Sequence, residues 1–160
     1  MEVRKAVTGI AVDSNVAKIT VRGVVDRPGV AAGLLKPLAD EGVSVDVIVQ
    51  NTSSDGTTDF TFTVGQASVV KAAQLIEDQS VIEYAEVITG SDLAKVSIVG
   101  TGMENAPGYA ARMFSTLSEA KVNIDMITTS EIRITTIIDR EQVQKAVQSL
   151  HDAFELEKSQ

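Results

Sequence analysis

"AKITVRGVVDRPGVAAGLL", residues 17–35, decides the fold. Its first half, Lys18–Val24, alternates β-branched residues with others, the pattern of a strand. Beyond it, Val30, Leu34, Leu35 and Leu38 fall at helical spacing, and Gly42 is placed to end that helix. Between the two lies a Pro-Gly corner. Pro28 presets a φ suited to a first helical turn, and Asp26 stands where it can help cap the free amides. Pro37, inside the helical pattern, is expected to kink or shorten it.

The same layout returns further on. Laying Ala17-Lys18 on Ala94-Lys95 brings "AKITVRG" onto "AKVSIVG". After a small insertion in the second copy, Pro28-Gly29 meets Pro107-Gly108, and Ala31-Ala32 meets Ala110-Ala111. "GVSVDVIVQN" then meets "KVNIDMITTS", with Val43 on Val122, Asp46 on Asp125 and Ile48 on Ile127. Chance is a poor explanation for that order of coincidences, so the chain is read as a duplication.

In the first copy, strands over 18–24, 43–50, 60–64 and 84–89 alternate with helices over 30–41 and 67–78, an order of βαββαβ. "NTSSDGTTD" is a turn cluster. The second copy offers strands 95–99, 122–129 and 132–138 and helices 107–120 and 141–154, with Asp139 and Gln142 resembling a capping box. Its tail, "ELEKSQ", is too polar for a fourth strand. "AVTGIAV" (6–12) reads as a strand that belongs to neither copy. A sheet lacking a strand exposes unpaired backbone, so the N-terminal segment is expected to complete the second unit. That makes 16–92 one domain, inserted into a second built from 1–15 plus 93–160, in an α+β, ferredoxin-like fold.

Composition narrows the function. The chain has 160 residues, 44% of them hydrophobic, a net charge of −8 and no cysteine. An acidic surface repels phosphate backbones, which argues against nucleic acid. Missing cysteines remove thiol chemistry and fit a reducing compartment. No stretch is apolar enough for a signal peptide or a bilayer span, so a cytoplasmic chain with no membrane partner is expected. His151 is the lone histidine and sits on a predicted helix beside Leu150 and Phe154, which argues against a triad. "GTGMEN" (100–105) lacks the last glycine of a dinucleotide loop. "SSDGTTD" is too short for a calcium loop. RNA-recognition modules share the βαββαβ order but need stacking aromatics, and only 4% of this chain is aromatic.

The corner offers more. Helix-start amides favour a carboxylate, Gly29 allows close approach, and Asp26 offers a charge partner for an ammonium group. Together they suit a free amino acid. The plainer alternative is that Asp26 only caps and Pro28-Gly29 only turns the chain. One copy alone does not decide between them.

At this point the residues resemble a known family. The arrangement is similar to ACT domains. "VTGIAVD", "VVDRPGVAAGLLKPLADEGVSVDVIVQN", "DGTTDFTFT", "AKVSIVGTGM" and "VNIDMITTSEIRI" look like the regulatory region of aspartate kinases. The family's catalytic half opens with a "KFGG"-like motif that is missing here, so the chain looks like a separate regulatory (β) subunit or an excised regulatory region, not an enzyme by itself. The resemblance implies a homodimer that works on a catalytic aspartate kinase subunit, with no cofactor and with L-threonine, and L-lysine as a second candidate, as effector. It places the effector between the first unit of one chain and the second unit of its partner. Asp26, Pro28, Gly29, Val30 and Ala31 match the holding loop, and Gln50 a side chain that reads the ligand's polar groups. Asn123 and Ile124 match a strand that supplies backbone contacts. Thr129, Ser130 and Glu131 match a stretch where changes loosen feedback control. At the second corner Asn105 replaces the aspartate, which implies a different role for that copy. Rival expectations are an ACT-type module for another amino-acid enzyme, an aspartate-phosphorylating enzyme, and a purely structural dimerisation module.

Overall fold

A computed structural model describes residues 7–103 and 108–156. Its elements are β1 (Val7–Val25), α1 (Val30–Asp40), β2 (Val45–Thr52), β3 (Thr57–Val64), α2 (Val69–Asp78), β4 (Glu86–Gly100), α3 (Tyr109–Glu119), β5 (Met126–Thr129), β6 (Arg133–Asp139) and α4 (Val143–Ala153). One-turn 3-10 segments lead into α2 and α4. The chain divides into two compact units, Asn15–Ser91 and Met1–Ser14 with Asp92–Gln160. Within the first, the strand order is β2-β3-β1-β4; within the second, β1-β4-β6-β5. β3 pairs antiparallel with β1 and β2, and β6 with β4 and β5.

Two strands are longer than the sequence pattern predicts. Segments 6–12 and 18–24 read as separate strands, yet β1 runs unbroken through both from Val7. The polar Asp13-Ser14-Asn15 between them contains no Pro or Gly, and its polar groups have partners in the fold. The Arg140 Nε donates to the Ser14 carbonyl at 2.8 Å, and the Asn15 side-chain oxygen accepts from the Gln66 amide at 3.1 Å. β4 likewise merges segments 84–89 and 95–99; Asp92, at φ 57°, absorbs the irregularity that "GSD" signals. Other bounds shift: β2 and β3 extend into the turn cluster, leaving residues 53–56 as its tip, and β5 is shorter than 122–129.

Each unit has its own core. In the first, Ile19, Val21, Phe60 and Phe62 of the sheet meet Leu34 and Leu38 of α1 and Ala72 and Ile76 of α2. Burying each of these larger side chains stabilises by about 1.5–3 kcal/mol. In the second, Val96, Ile98 and Ile138 meet Met113 and Leu117 of α3 and Ala146 and Leu150 of α4.

α1 and α3 begin alike, and not as N-capping rules predict, while Gly42 ends α1 as expected. α1 and α3 open from Gly29 and Gly108, at φ 94° and 104°, with no side-chain cap. Asp26 therefore does not cap α1, and Pro28 precedes the cap rather than opening the helix. Neither Asp139 nor Gln142 caps the last helix. α1 runs through Pro37 to Asp40. Both helices close with a left-handed residue flanked by paired bonds: Val43 N to Leu38 O (2.9 Å) with Gly42 N to Ala39 O (3.0 Å), and Val122 N to Leu117 O (2.8 Å) with Lys121 N to Ser118 O (2.9 Å). This is the Schellman closure, and its hydrophobic pairs, Val43 with Leu38 and Val122 with Leu117, lie in the two cores. Lys121, at φ 61°, does there what Gly42 does at φ 76°.

Two substitutions test this backbone logic. Gly23 sits at φ +67° with a built Cβ only 2.8 Å from the Ala85 Cβ. Gly23→Ala should lower the unfolding free energy by about 2–4 kcal/mol, combining left-handed strain with overpacking. Lys121→Gly should raise it by about 1 kcal/mol. Urea midpoints at constant slope measure both.

Candidate functional site

β1 and β2 both run antiparallel to β3, so their C-terminal ends meet at one end of the first unit's sheet. The corner, residues 26–29, leaves β1 at that end and leads into α1. It is pinned from several sides. The Asp26 amide donates to the Gly56 carbonyl at the tip of the β2–β3 hairpin (3.0 Å), and the Val25 amide to the Glu83 carbonyl (3.1 Å). The Arg27 Nη2 donates to the Val81 carbonyl at 3.0 Å, and the Gly23 amide to Asp59 Oδ1 at 2.8 Å. The corner is thus held by its backbone and by the Arg27 side chain, while the Asp26 side chain stays free. Asp26 is exposed, and among the described residues its carboxylate has no hydrogen-bond or ion-pair partner.

Gly29 gives this corner its openness. At φ +94° it favours glycine, and no heavy atom lies within 4 Å of a Cβ built there. Of the helix-start amides, Val30 N is already bonded to the Arg27 carbonyl (3.3 Å). Ala31 and Ala32 follow in the first turn, where helix geometry supplies no carbonyl four residues back. Val30 is buried in the core and anchors the turn; Ala31 is exposed. An anion placed here would meet outward amides and the positive end of α1.

Gln50 joins this group. Opposite Phe60 in the ladder, it lies on the same sheet face as the core that α1 covers. It is exposed, and its Nε2 donates to Thr58 Oγ1 at 3.2 Å. Within the first unit, then, the predicted residues Asp26, Pro28, Gly29, Val30, Ala31 and Gln50 share one end of the sheet.

The remaining predicted residues belong to the second unit. Asn123 and Ile124 lie in the loop before β5, not in a strand. Ile124 packs half-buried on the core, while Asn123 is exposed; with Phe114, Ser118 and Lys121 they line an open hollow of about 440 Å³. Thr129 ends β5 opposite Ile134, Ser130 N donates to the Arg133 carbonyl at 2.8 Å, and Glu131 is exposed in that turn. These two groups therefore sit at opposite ends of a short strand. Asn105 and Pro107 lie outside the described residues.

Sequence reasoning missed the support of the corner: Gly56, Thr58 and Asp59 all fall in what reads as a solvated turn. Alternation beginning at Thr58 rather than Phe60 was the available signal. His151, half-buried on α4, has no partner for its Nδ1 among the described residues. There is also no group of three or more His, Cys, Asp or Glu side chains able to hold a metal among them, and no helix long and apolar enough to cross a membrane.

The geometry defines a small α+β module with an open strand-to-helix corner, and comparison with known proteins agrees on the class. ACT-domain profiles match residues 18–80 and 96–154, so each unit is an ACT domain. Aspartokinase from Pseudomonas aeruginosa is 45% identical over 152 residues, covering 94% of this chain and 37% of the relative. A chain in a crystal structure of aspartokinase alpha and beta subunits superposes with a TM-score of 0.87 at 45% identity, covering 94% of this chain and 100% of that one. The ligand-free regulatory subunit of aspartate kinase from Thermus thermophilus gives a TM-score of 0.86 at 39% identity, covering 94% and 99%. The chain belongs to the aspartate kinase family, as its regulatory ACT-domain region. It spans little more than a third of the curated relative's length.

The hairpin that pins Asp26 carries its own titration signature. Asp55 Oδ1 accepts from the Thr57 hydroxyl (2.6 Å) and the Thr57 amide (3.0 Å), and these bonds hold its carboxyl below the usual value of 3.8. A depressed carboxyl stabilises the fold above its unfolded pKa and loses that contribution as pH falls through the folded pKa. Carboxyl NMR titration should find Asp55 below the ordinary range in the wild type and raised toward it in Thr57→Val, which loses the hydroxyl bond and keeps the amide bond.

Proposed function

We propose that this chain senses L-threonine, with L-lysine as a second candidate effector, at sites completed by pairing two copies, and relays binding to a catalytic aspartate kinase subunit in the cytoplasm. The reading further takes the first ACT domain, 16–92, as inserted into the second, 1–15 with 93–160. The observation that carries it is the unpartnered Asp26 carboxylate beside a glycine-opened helix start. A capping bond would occupy part of the carboxylate and turn it toward the helix; here both oxygens are open to a ligand.

In the proposed complex the effector's carboxylate sits on the amides after Gly29, its ammonium group on Asp26, and its side chain near Gln50. Asn123 and Ile124 of a second copy close the site, and Thr129, Ser130 and Glu131 form the turn through which feedback control is tuned. Pairing is favoured by the exposed Ile48 and Val49 on edge strand β2 and Ile127 on edge strand β5. Effector binding favours one paired arrangement, and control follows when that arrangement disfavours the active catalytic state.

Calorimetry on the wild type and Asp26→Ala tests this. The variant should keep its ligand-free melting temperature and lose about 10–100-fold in threonine affinity, the worth of a charge-assisted hydrogen bond. Equal affinities would remove Asp26 from the site. A thermal-shift screen of the amino acids separates the rivals, because a ligand that binds only the folded chain raises its stability. A shift with some other amino acid alone would assign the module to a different enzyme; no shift with any would leave a structural dimerisation module.

A further inference from the structure

We infer that Asp55-Gly56, at the tip of the β2–β3 hairpin, is a self-modification site: the Gly56 nitrogen closes on the Asp55 carboxyl to a succinimide, and Thr57 is the positioning residue that keeps this closure slow. The chemistry needs only the chain and water, so it stands whether or not the effector reading does.

Asp55-Gly56 is the one place in the sequence where glycine follows an aspartate or an asparagine. Both residues are exposed. Ring closure brings the nitrogen of the next residue onto the side-chain carbonyl carbon, and a side chain on that next residue crowds the approach. Gly56 has none. It sits at φ +84°, with no heavy atom within 4 Å of a Cβ built there. Among the described residues no acceptor holds its amide. The opposing hold comes from Thr57, whose hydroxyl (2.6 Å) and amide (3.0 Å) both donate to Asp55 Oδ1. These bonds aim the oxygen past Gly56 at the following residue. As bonds to the charged form, they also keep the carboxyl ionised. An ionised carboxylate has no hydroxyl to lose, so the Gly56 nitrogen meets a poor acceptor.

The step balances without a co-reactant. In the protonated acid the bond from Gly56 N to Asp55 Cγ forms, the bond from Cγ to its hydroxyl breaks, and the hydroxyl leaves with the Gly56 proton as water. Water then reopens the ring at either carbonyl. Breaking the new bond restores aspartate. Breaking the original peptide bond leaves isoaspartate, with the main chain rerouted through Cβ and Cγ, one atom longer, and the former carbonyl carbon as the free carboxylate. Net charge is unchanged, but the tip is reshaped. The Gly56 carbonyl, which accepts from the Asp26 amide at 3.0 Å, shifts with the added atom, and the Thr57 donors lose their acceptor. The modification thus loosens the corner and leaves the core untouched. The second hairpin, with Ser130, Glu131 and Ile132 at its turn, carries no such pair.

The test incubates the intact chain at neutral pH in heavy-oxygen water and maps the peptide containing Asp55 by mass spectrometry, because each opening of the ring leaves one solvent oxygen behind. Isoaspartate in the same peptide is counted with an isoaspartyl methyltransferase as labelling reagent. Wild type should take up label slowly at this peptide. Thr57→Val should take it up faster, by about tenfold for each pH unit that the carboxyl rises, and Thr57→Ser should return to the wild-type rate. Asp55→Glu, which would have to close a larger ring, should stay unlabelled there. Equal rates in wild type and Thr57→Val, no label in either, or a Thr57→Ser rate matching Thr57→Val overturns the inference. If Thr57→Val does not fold, wild type unfolded in urea should label faster than the folded chain, and equal rates there overturn it as well. In chains that carry isoaspartate the Asp26 amide should lose its protection from hydrogen exchange; retained protection would refute the link from tip to corner.

Discussion

The structure depends on a backbone reversal that an L side chain resists. Between β1 and α1 the chain leaves an extended strand and enters a helix through Gly29 at φ 94°, and α3 begins the same way through Gly108 at φ 104°. A Cβ in that region strains against the following carbonyl. Accepting glycine has a second consequence: the helix start is bare. Among the described residues no side chain caps the first-turn amides, so the positive end of α1 remains available to solvent or to a ligand. The constraint that shapes the fold also opens the site.

Bareness would be of little use if the loop moved freely. Here the corner is held by bonds that do not involve the Asp26 side chain. Asp26 is gripped by its amide at the hairpin tip, Gly23 by the Asp59 carboxylate, and Val25 and Arg27 by carbonyls of the 79–85 loop. Asp26 can keep an unpartnered carboxylate because its position is set without it. Groups held in advance lose less entropy when a ligand arrives, which is how a few polar contacts reach useful affinity. The same division runs through the unit: Leu34, Leu38, Phe60 and Phe62 fix the frame, and Asp26, Gly29, Ala31 and Gln50 at one end of it stay exposed.

Much of this was legible in the sequence. The duplication, the βαββαβ order and the helix faces follow from spacing alone, since Leu34, Leu38, Ala72 and Ile76 are buried where periodicity puts them. The length of β1 and β4 was not, because Asp13-Ser14-Asn15 and Gly90-Ser91-Asp92 carry turn chemistry. Their polar groups are bonded by distant residues such as Arg140 and Gln66, and local pattern cannot anticipate a partner a hundred positions away. The caps failed for a related reason. Asp26, Asp139 and Gln142 have the right type and spacing, but a left-handed glycine or a leading 3-10 turn changes where the first amides point. Of the candidate site, Asp26 and Gln50 could be named from sequence, whereas their supports at Gly56, Thr58 and Asp59 needed the register of β3.

That register also explains how the two copies of one module come to differ at their corners. Lengthening a hairpin by a few exposed residues leaves the buried core untouched, so Ser53–Gly56 could be gained or lost at little cost to stability. Its effect on the corner is large, because the added reach supplies the carbonyl that fixes Asp26. The second unit keeps the frame, the glycine entry and the Schellman closure, with Lys121 tolerated at a left-handed φ. It keeps neither the long hairpin nor the Gln50–Thr58 pair. Divergence between the copies reaches inside the sheet as well: the fully buried Thr58 of the first unit corresponds to the exposed Ile132 of the second, so the two part at the hairpin and keep the helix-facing core.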